Sequence, residues 1–256
     1  MLFDTHAHLD DSRFDSDRDE LIEKIHNEGI SLIVNPGADI DSSKRAIDLA
    51  ARYDFIYATV GVHPHDAKDL KEEDFEKIEE MAKADKVVAI GEIGLDYYYD
   101  NSPREIQKQV FIRQIEIANR LGLPIVIHSR DASQDTYDII KKYKKDDIGC
   151  LLHCYGQSLE MAELYIEMGC YISFAGPLTF KNSHKLKEIA RSIPFEKILI
   201  ETDTPYLTPE PFRGKRNDPS KVRYVALELA KLKNIDPQQA MEITMKNGLE
   251  FFSIKL

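Results

Sequence analysis

The stretch Val87-Val88-Ala89-Ile90-Gly91-Glu92 joins a short, mostly β-branched apolar run to a carboxylate. Apolar residues of this kind predict a buried strand, which we expect to cover Lys86–Gly91. Glu92 would then stand at the carboxyl end of the strand. An ionised side chain is costly to bury there unless it is paired or bound to a metal, so the stretch predicts a strand that positions a functional acid.

The same pattern recurs along the chain, because other short apolar runs also end on a histidine or an acid. The residues at these positions are His6, His8, Glu92, His128, His153 and Asp203. Parallel strands bring their carboxyl ends to one edge of a sheet or barrel, so we expect these side chains to converge. Converging imidazoles and carboxylates predict a metal site.

Amphipathic segments alternate with the apolar runs over the whole chain. The predicted strands are Leu2–Asp4, Ser31–Asn35, Phe55–Val62, Lys86–Gly91, Pro124–His128, Gly149–His153, Cys170–Phe174 and Lys197–Thr202. The predicted helices are Arg18–Asn27, Asp41–Arg52, Glu72–Lys83, Pro103–Leu121, Ala132–Tyr143, Leu159–Met168, His184–Ser192, Pro219–Lys233 and Pro237–Phe251. Strict alternation favours parallel strands joined by right-handed crossovers.

The length of 256 residues suits one α/β domain over residues 1–256. We predict a single (β/α)8 TIM-like barrel with an extra C-terminal helix. An open, doubly wound sheet is the alternative, because alternation alone does not distinguish a closed sheet from an open one.

Composition limits which kinds of partner and which cellular compartment we expect for the protein. The formal net charge is −11, so a basic face that grips long duplex DNA is not expected. The three cysteines are an odd number in a long chain, which argues against a disulfide framework and for a reducing compartment. Neither a signal peptide nor a membrane-spanning run is expected. We therefore expect a cytoplasmic protein without a membrane or obligate protein partner.

Histidine spacing suggests how a metal would be held. His6 and His8 are two residues apart, so on a strand both side chains point to the same side. Such a pair can chelate one ion, although two histidines in a polar turn would show the same spacing. A lone histidine such as His128 or His153 is more often a packed core residue, but their common place at strand ends favours metal ligands.

Acidic residues suggest the catalytic roles. Glu92 between two cations would bridge them, as in two-metal hydrolases, or else it would pair with Arg130. Asp203 would touch a metal and accept the proton of the attacking water. Glu201 should point to the same side from deeper in the barrel, which suits a group behind the metal ligands.

Substrate contacts are expected from His63 and His65, which end the third strand, and from one basic loop. That loop contains Arg213, Lys215 and Arg216 and would contact phosphate, although a solvated loop is the common meaning of such a run. His26 and His184 fall in predicted helices and are expected at the surface.

Several segments resemble the motifs of the TatD-type metal-dependent deoxyribonucleases. They are Asp4–Leu9 (DTHAHL), Gly61–His65 (GVHPH), Gly91–Tyr97 (GEIGLDY), His128–Ala132 (HSRDA), His153–Gly156 (HCYG), Glu201–Pro205 (ETDTP) and Arg213–Pro219 (RGKRNDP). The resemblance implies a barrel of the amidohydrolase superfamily with two ions. It implies that one ion is bound by His6, His8, Glu92 and Asp203. The other would be bound by Glu92, His128 and His153.

The resemblance also implies hydrolysis of phosphodiester bonds in DNA or short oligonucleotides. We predict a deoxyribonuclease that acts from a strand end through a water activated by two divalent ions, magnesium, manganese or zinc. His63, Arg130 and the basic loop would hold phosphates. A deacylase- or lactonase-type hydrolase of esters or amides on the same barrel is the alternative, and a noncatalytic metal-binding or scaffold protein is a rival from another class.

Overall fold

The computed structural model describes residues 1–255 and shows parallel strands alternating with helices. Within that range the strands are β1 (Leu2–Asp4), β2 (Ile30–Pro36), β3 (Ile56–Val60), β4 (Val87–Asp96), β5 (Ile125–Arg130), β6 (Cys150–Leu152), β7 (Tyr171–Phe174) and β8 (Ile198–Ile200). The helices are α1 (Arg18–Asn27), α2 (Ile40–Arg52), α3 (Glu72–Met81), α4 (Arg104–Leu121), α5 (Ser133–Tyr143), α6 (Leu159–Glu167), α7 (His184–Ser192), α8 (Val222–Lys233) and α9 (Pro237–Phe251). Most element ends lie close to the predicted ones.

The strands pair in sequence order from β1 to β8, each parallel to the next. Backbone hydrogen bonds then join the two ends of the sheet. Thr5 N donates to Ile200 O over 3.1 Å, Asp203 N to His6 O over 2.9 Å, and His8 N to Thr204 O over 2.9 Å. The predicted barrel is confirmed and the open sheet is wrong, because these bonds form a seam immediately beyond β1 and β8.

β4 differs from the prediction, because it continues past Gly91 to Asp96. Glu92 therefore lies inside the strand, at a register shift opposite β5 between Ile90 and Ile93. Pairing resumes at Ile93 beside Ile127, and next to it Gly94 lies beside His128, where a Cβ on Gly94 would lie 2.0 Å from the carbonyl oxygen of His128. The residues beyond Glu92 remain in the sheet because Ile93 is fully buried and glycine permits this close approach.

The C-terminal helix α9 covers the amino-terminal end of the barrel. Its Met245 and Phe251 pack in one cluster with Phe3 of β1 and Leu199 of β8. Gly248 lies against the ring of Phe3, which a Cβ would approach to 2.6 Å. The predicted extra helix is thus confirmed, and it closes the end opposite the strand tips. Its partner α8 begins at Val222, after a short 3-10 turn over Pro219–Lys221.

A buried acid stabilises the seam between β1 and β8. Asp4 is fully buried, and Thr202 donates to it from its backbone N over 2.9 Å and from its hydroxyl over 2.5 Å. Burial raises the pKa of Asp4 well above its usual value, while the bonds from Thr202 oppose that rise. The seam therefore depends on keeping the Asp4 carboxyl group hydrogen-bonded.

We expect Thr202→Val to lower the free energy of unfolding by about 2 kcal/mol, because it leaves Asp4 short of a hydrogen bond. Urea denaturation would measure the change. Thr244→Val is the matched control, since Thr244 is equally buried and its hydroxyl bonds to carbonyls of its own helix. Equal losses of unfolding free energy in the two variants would show that the bond from Thr202 to Asp4 stabilises the protein no more than an ordinary buried hydroxyl bond.

Candidate metal centre

The carboxylate of Glu92 lies at the centre of the converging strand ends. Its Oε1 is 2.8 Å from His153 Nε2 and 3.0 Å from His128 Nδ1. Its Oε2 is 3.4 Å from His6 Nε2 and 3.7 Å from His8 Nε2. Glu92 is only 4% exposed, so these imidazoles replace most of its contact with water. The structure thus brings together residues that are far apart in sequence.

One group of donor atoms faces Glu92 Oε2. The Nε2 atoms of His6 and His8 are 3.2 Å apart, and Asp203 Oδ1 is 3.9 Å from the first and 3.5 Å from the second. Donors bound about 2.1 Å from one ion are about 3 to 3.5 Å apart, so the separations of 3.2 and 3.5 Å fit a shared ion and the separation of 3.9 Å is slightly longer. Asp203 has a left-handed backbone with φ of 53°, a conformation that aspartate tolerates better than most residues.

A second group of donor atoms faces Glu92 Oε1. His128 and His153 belong to it as expected, and His63 also reaches it, with Nε2 3.5 Å from Glu92 Oε1. The donor atoms of His63, Glu92 and His128 lie within 4.8 Å of one another and could hold a metal. His63 was expected only as a substrate contact, whereas the structure places it beside the potential ligands.

The chemistry of these donors fits divalent ions. Imidazole and carboxylate suit zinc and manganese, and the bridging position of Glu92 between two groups suits two neighbouring ions. The alternative salt bridge from Glu92 to Arg130 is wrong. Arg130 is exposed and its guanidinium instead lies 4.0 Å from the ring centre of Tyr98 and 4.9 Å from that of Tyr99.

Asp96 is a buried acid of the site that the sequence reasoning missed. Its Oδ2 is 3.0 Å from both His65 Nε2 and His128 Nε2, and its Oδ1 accepts the backbone N–H groups of Tyr98 and Tyr99. An ionised carboxylate only accepts, so both imidazoles donate to it. His128 therefore directs its other nitrogen, Nδ1, toward Glu92. The sequence did contain a signal for Asp96. It lies four residues after Glu92, and on a strand two side chains that are four residues apart point to the same side.

Glu201 lies beneath the imidazoles, as its position two residues before Asp203 predicted. It is fully buried, it accepts a 2.6 Å hydrogen bond from the Ser173 hydroxyl, and its Oε1 is 3.4 Å from His153 Nδ1. A carboxylate on the far nitrogen of a ligand histidine fixes the orientation of the ring. Glu201 can act in this way on His153.

Charge interactions within the group set its protonation. Burial opposes ionisation of Glu92, but attraction from His153 and His63 and hydrogen bonds from His128 and His153 hold its pKa well below the usual value. Burial likewise disfavours a charged His153, but the carboxylates of Glu92 and Glu201 outweigh it and raise its pKa well above 6.5. Burial and the neighbouring His128 lower the pKa of His63 well below 6.5.

Exposed tyrosines flank the mouth, and these too were missed from sequence. Tyr98 and Tyr99 follow β4 and are 58% and 55% exposed, and Tyr206 follows β8 and is 47% exposed. The Arg13 guanidinium lies 4.0 Å from the ring centre of Tyr206. Tyr99 also meets the ring of His65 edge-on at 5.3 Å. Stacked guanidinium and phenol groups at a rim offer flat surfaces to planar ligands.

The basic loop is only partly free to bind an anion. Arg216 pairs with Asp17 and donates to Arg13 O over 2.7 Å, so its guanidinium is already used. The prediction that Arg216 holds a phosphate is therefore wrong. Arg213 is exposed over the ring of Phe180, 4.2 Å from its centre. Lys215 is exposed and lines a cleft outside the mouth.

The structure also places the cysteines and the two remaining histidines that the sequence analysis named. Cys150, Cys154 and Cys170 are free thiols within residues 1–255. His26 and His184 are exposed. Along the described part of the chain, every helix is too short or too polar to cross a membrane.

Comparisons with known proteins agree with this architecture. A family model described as TatD related DNase matches residues 3–253. A protein of Bacillus subtilis named uncharacterized metal-dependent hydrolase YabD is 48% identical over 254 residues, covering 99% of this chain and 100% of that protein. The similarly named YcfH of Escherichia coli K12 is 36% identical over 257 residues, covering 99% and 96%. The solved structure of YJJV, a TatD homolog from Escherichia coli, has a TM-score of 0.92 at 27% identity, covering 99% and 98%.

We expect Glu201→Gln to lower the pKa of His153 in the metal-free protein, because one of the carboxylates that raise it is neutralised. NMR titration of the histidine resonances would measure the pKa of His153 in both proteins. The stability that protonated His153 contributes is full below pH 6.5 and is lost as the pH rises through the raised pKa, so this pH dependence should weaken in the variant. Glu163→Gln, at an exposed position of α6, is the control and should leave the titration unchanged.

Proposed function

We propose, from the premise that this chain belongs to the TatD-related DNase family, that it is a metal-dependent hydrolase of phosphodiester bonds in DNA. The observation that carries the proposal is the buried Glu92 carboxylate, shared between two groups of donor atoms. A carboxylate in this position would hold two ions side by side, and a pair of ions supplies the chemistry of two-metal hydrolysis, in which both the attacking and the leaving oxygen are stabilised.

Two divalent ions, magnesium, manganese or zinc, would be held at the mouth. His6, His8, Glu92 and Asp203 would hold one ion, and Glu92, His128 and His153 would hold the other, with His63 beside it. When bound, the ions would neutralise charge on phosphate oxygens and lower the pKa of water. The protein residues would orient the substrate and move the proton.

Asp203 is the proposed general base. Its side chain is 18% exposed at the rim, so it can meet water as well as the imidazoles of His6 and His8. The oxygen of the attacking water forms a bond to phosphorus as its proton passes to the Asp203 carboxylate, and the bond from phosphorus to the leaving oxygen breaks. Glu92, ionised and buried, keeps the centre anionic enough to hold cations.

Substrate contacts would come from groups around the rim. His63, His65, Arg130 and Arg213 would contact phosphates, and Tyr98, Tyr99 and Tyr206 would offer stacking surfaces for bases. The ligands lie within the barrel mouth and the chain carries a net charge of −11, which disfavours a long groove for duplex DNA. We therefore propose attack from a strand end.

Asp203→Asn should slow hydrolysis by about 10²- to 10⁴-fold, because the proton acceptor is lost, and Glu92→Gln should abolish it. The assay compares metal-loaded protein on end-labelled oligonucleotides, bis(para-nitrophenyl) phosphate, aryl esters and aminoacyl esters. Asp138→Asn, at an exposed position of α5, is the control and should retain full activity. Turnover of carboxylic esters alone would replace the nuclease proposal with the deacylase or lactonase alternative.

Asp96→Asn should weaken the binding of one ion by about 10- to 100-fold, because His128 loses the carboxylate that orients it. Calorimetric titration with zinc or manganese would resolve the two binding steps. The ion bound by His6 and His8 should keep its affinity, since Asp96 contacts neither residue. Equal weakening of both steps would show a general disturbance of the site instead.

A further inference from the structure

A basic cleft of about 550 Å³ lies outside the barrel mouth, between α1 and the start of α8. Its lining comes from α1, from the segment 212–221 and from the first turn of α8. The six predicted metal ligands are not among its lining residues. The volume is within the usual range for a small-molecule site, and it is large enough for a nucleotide.

Positive charge dominates the cleft of a chain that is acidic overall. The lining contains the cations Lys24, Lys215, Arg216, Lys221 and Arg223 against the acids Glu28 and Asp218, so five charges face two. Asp218 is already paired with Lys221, and Arg216 with Asp17. Among the described residues, Lys215 and Arg223 have no carboxylate within 4.0 Å, and Lys24 has only a 3.9 Å contact to Glu28. These three cations remain available to an anion.

Arg223 carries a further sign of an unfilled contact. One end of its guanidinium donates to Glu28 O over 2.8 Å, which fixes the side chain in place. Its Nε is buried and has no hydrogen-bond partner within residues 1–255. A buried donor without a partner costs free energy, so a small movement of this side chain that brings Nε to an acceptor in the cleft would be stabilised.

Aromatic rings complete the cleft. Phe212 and Tyr224 both line it and meet edge to face with 5.1 Å between ring centres. Aromatic faces beside cations form the usual combination for binding nucleotides, since the rings stack on bases while the cations meet phosphates.

The segment that holds Lys215 also reaches the barrel mouth. Its Arg213 lies over Phe180, which directly follows the short 3-10 turn after β7. Glu210 N donates to the Thr179 hydroxyl of that turn over 2.9 Å. Arg213 therefore faces the carboxyl end of β7 while Lys215 faces the cleft, so one short loop connects the two regions.

We propose that this cleft binds the phosphate backbone of a nucleic-acid strand whose end lies in the barrel mouth. The inference rests on the proposed function for its substrate class. A strand that leaves the metal centre would pass over Arg213 and enter the cleft, where Lys24, Lys215 and Arg223 bind phosphates. The cleft thus favours strands long enough to span both regions over very short substrates.

The test measures binding of fluorescein-labelled, phosphorothioate-linked oligothymidylates to metal-loaded protein by anisotropy over a range of KCl concentrations. We compare a strand about 12 nucleotides long with a dinucleotide. Lys24→Glu and Arg223→Gln should each weaken binding of the long strand about three- to tenfold. Arg223→Gln should also reduce the slope of log affinity against log salt by roughly 0.7, the value for one lost phosphate contact.

Dinucleotide binding and hydrolysis of bis(para-nitrophenyl) phosphate should be unchanged in both variants. Lys142→Glu, an equal charge reversal at an exposed position of α5, is the control and should bind like the wild type. Lys24 is 68% exposed, so its replacement leaves the fold intact, which thermal melting checks.

Wild-type affinity of both cleft variants for the long strand would overturn the proposal, as would equal weakening by Lys142→Glu. Failure of the proposed function gives a different result. In that case the wild type hydrolyses neither bis(para-nitrophenyl) phosphate nor oligonucleotides, while binding of the long strand still depends on Lys24 and Arg223.

Discussion

The contact between the buried carboxylate of Glu92 and the surrounding imidazoles is the interaction on which the rest of the structure depends. An isolated carboxylate that is 4% exposed would be strongly destabilising, and it is tolerated because His6, His8, His128 and His153 lie within 3.7 Å of it. These partners come from the ends of β1, β5 and β6. Only a closed barrel brings those ends around one point on β4, so the fold and the site impose the same geometry.

Further polar contacts hold this arrangement in place. Asp96 holds the far nitrogen of His128 and Glu201 lies 3.4 Å from that of His153, while the pair of Asp4 with Thr202 holds the seam from which Asp203 extends. The opposite end of the barrel is apolar and is closed by α9. The buried groups are therefore preorganised, while the tyrosines and arginines at the rim remain exposed and adaptable. Such a division would suit the proposed reaction, in which a rigid centre acts on strands of varying sequence.

Much of the fold and of the candidate site could be predicted because the local sequence pattern and the chemistry of the side chains indicate the same arrangement. Alternating apolar runs and amphipathic segments predict the strands and helices, and polar residues at the ends of those runs predict the converging site. The predicted end of β4 at Gly91 was wrong. A glutamate after a glycine is typical of a strand end, whereas Gly94 lets this strand continue beside β5. Asp96 was missed for the same reason. The role expected of Arg216 was wrong because its partner Asp17 lies far away in sequence. One domain over the whole chain remains a prediction.

The sequence by itself determined the class of fold, the residue types of the candidate metal centre and the family. These depend on local periodicity and on side-chain chemistry, which are present in every short segment. Tertiary structure alone decided that the sheet closes, that Glu92 is shared between two groups of donors, and that His63 lies beside them. It also decided which cations are neutralised and which face an open cleft. Those outcomes depend on distances between residues that are remote in sequence, and a linear pattern carries no such distances.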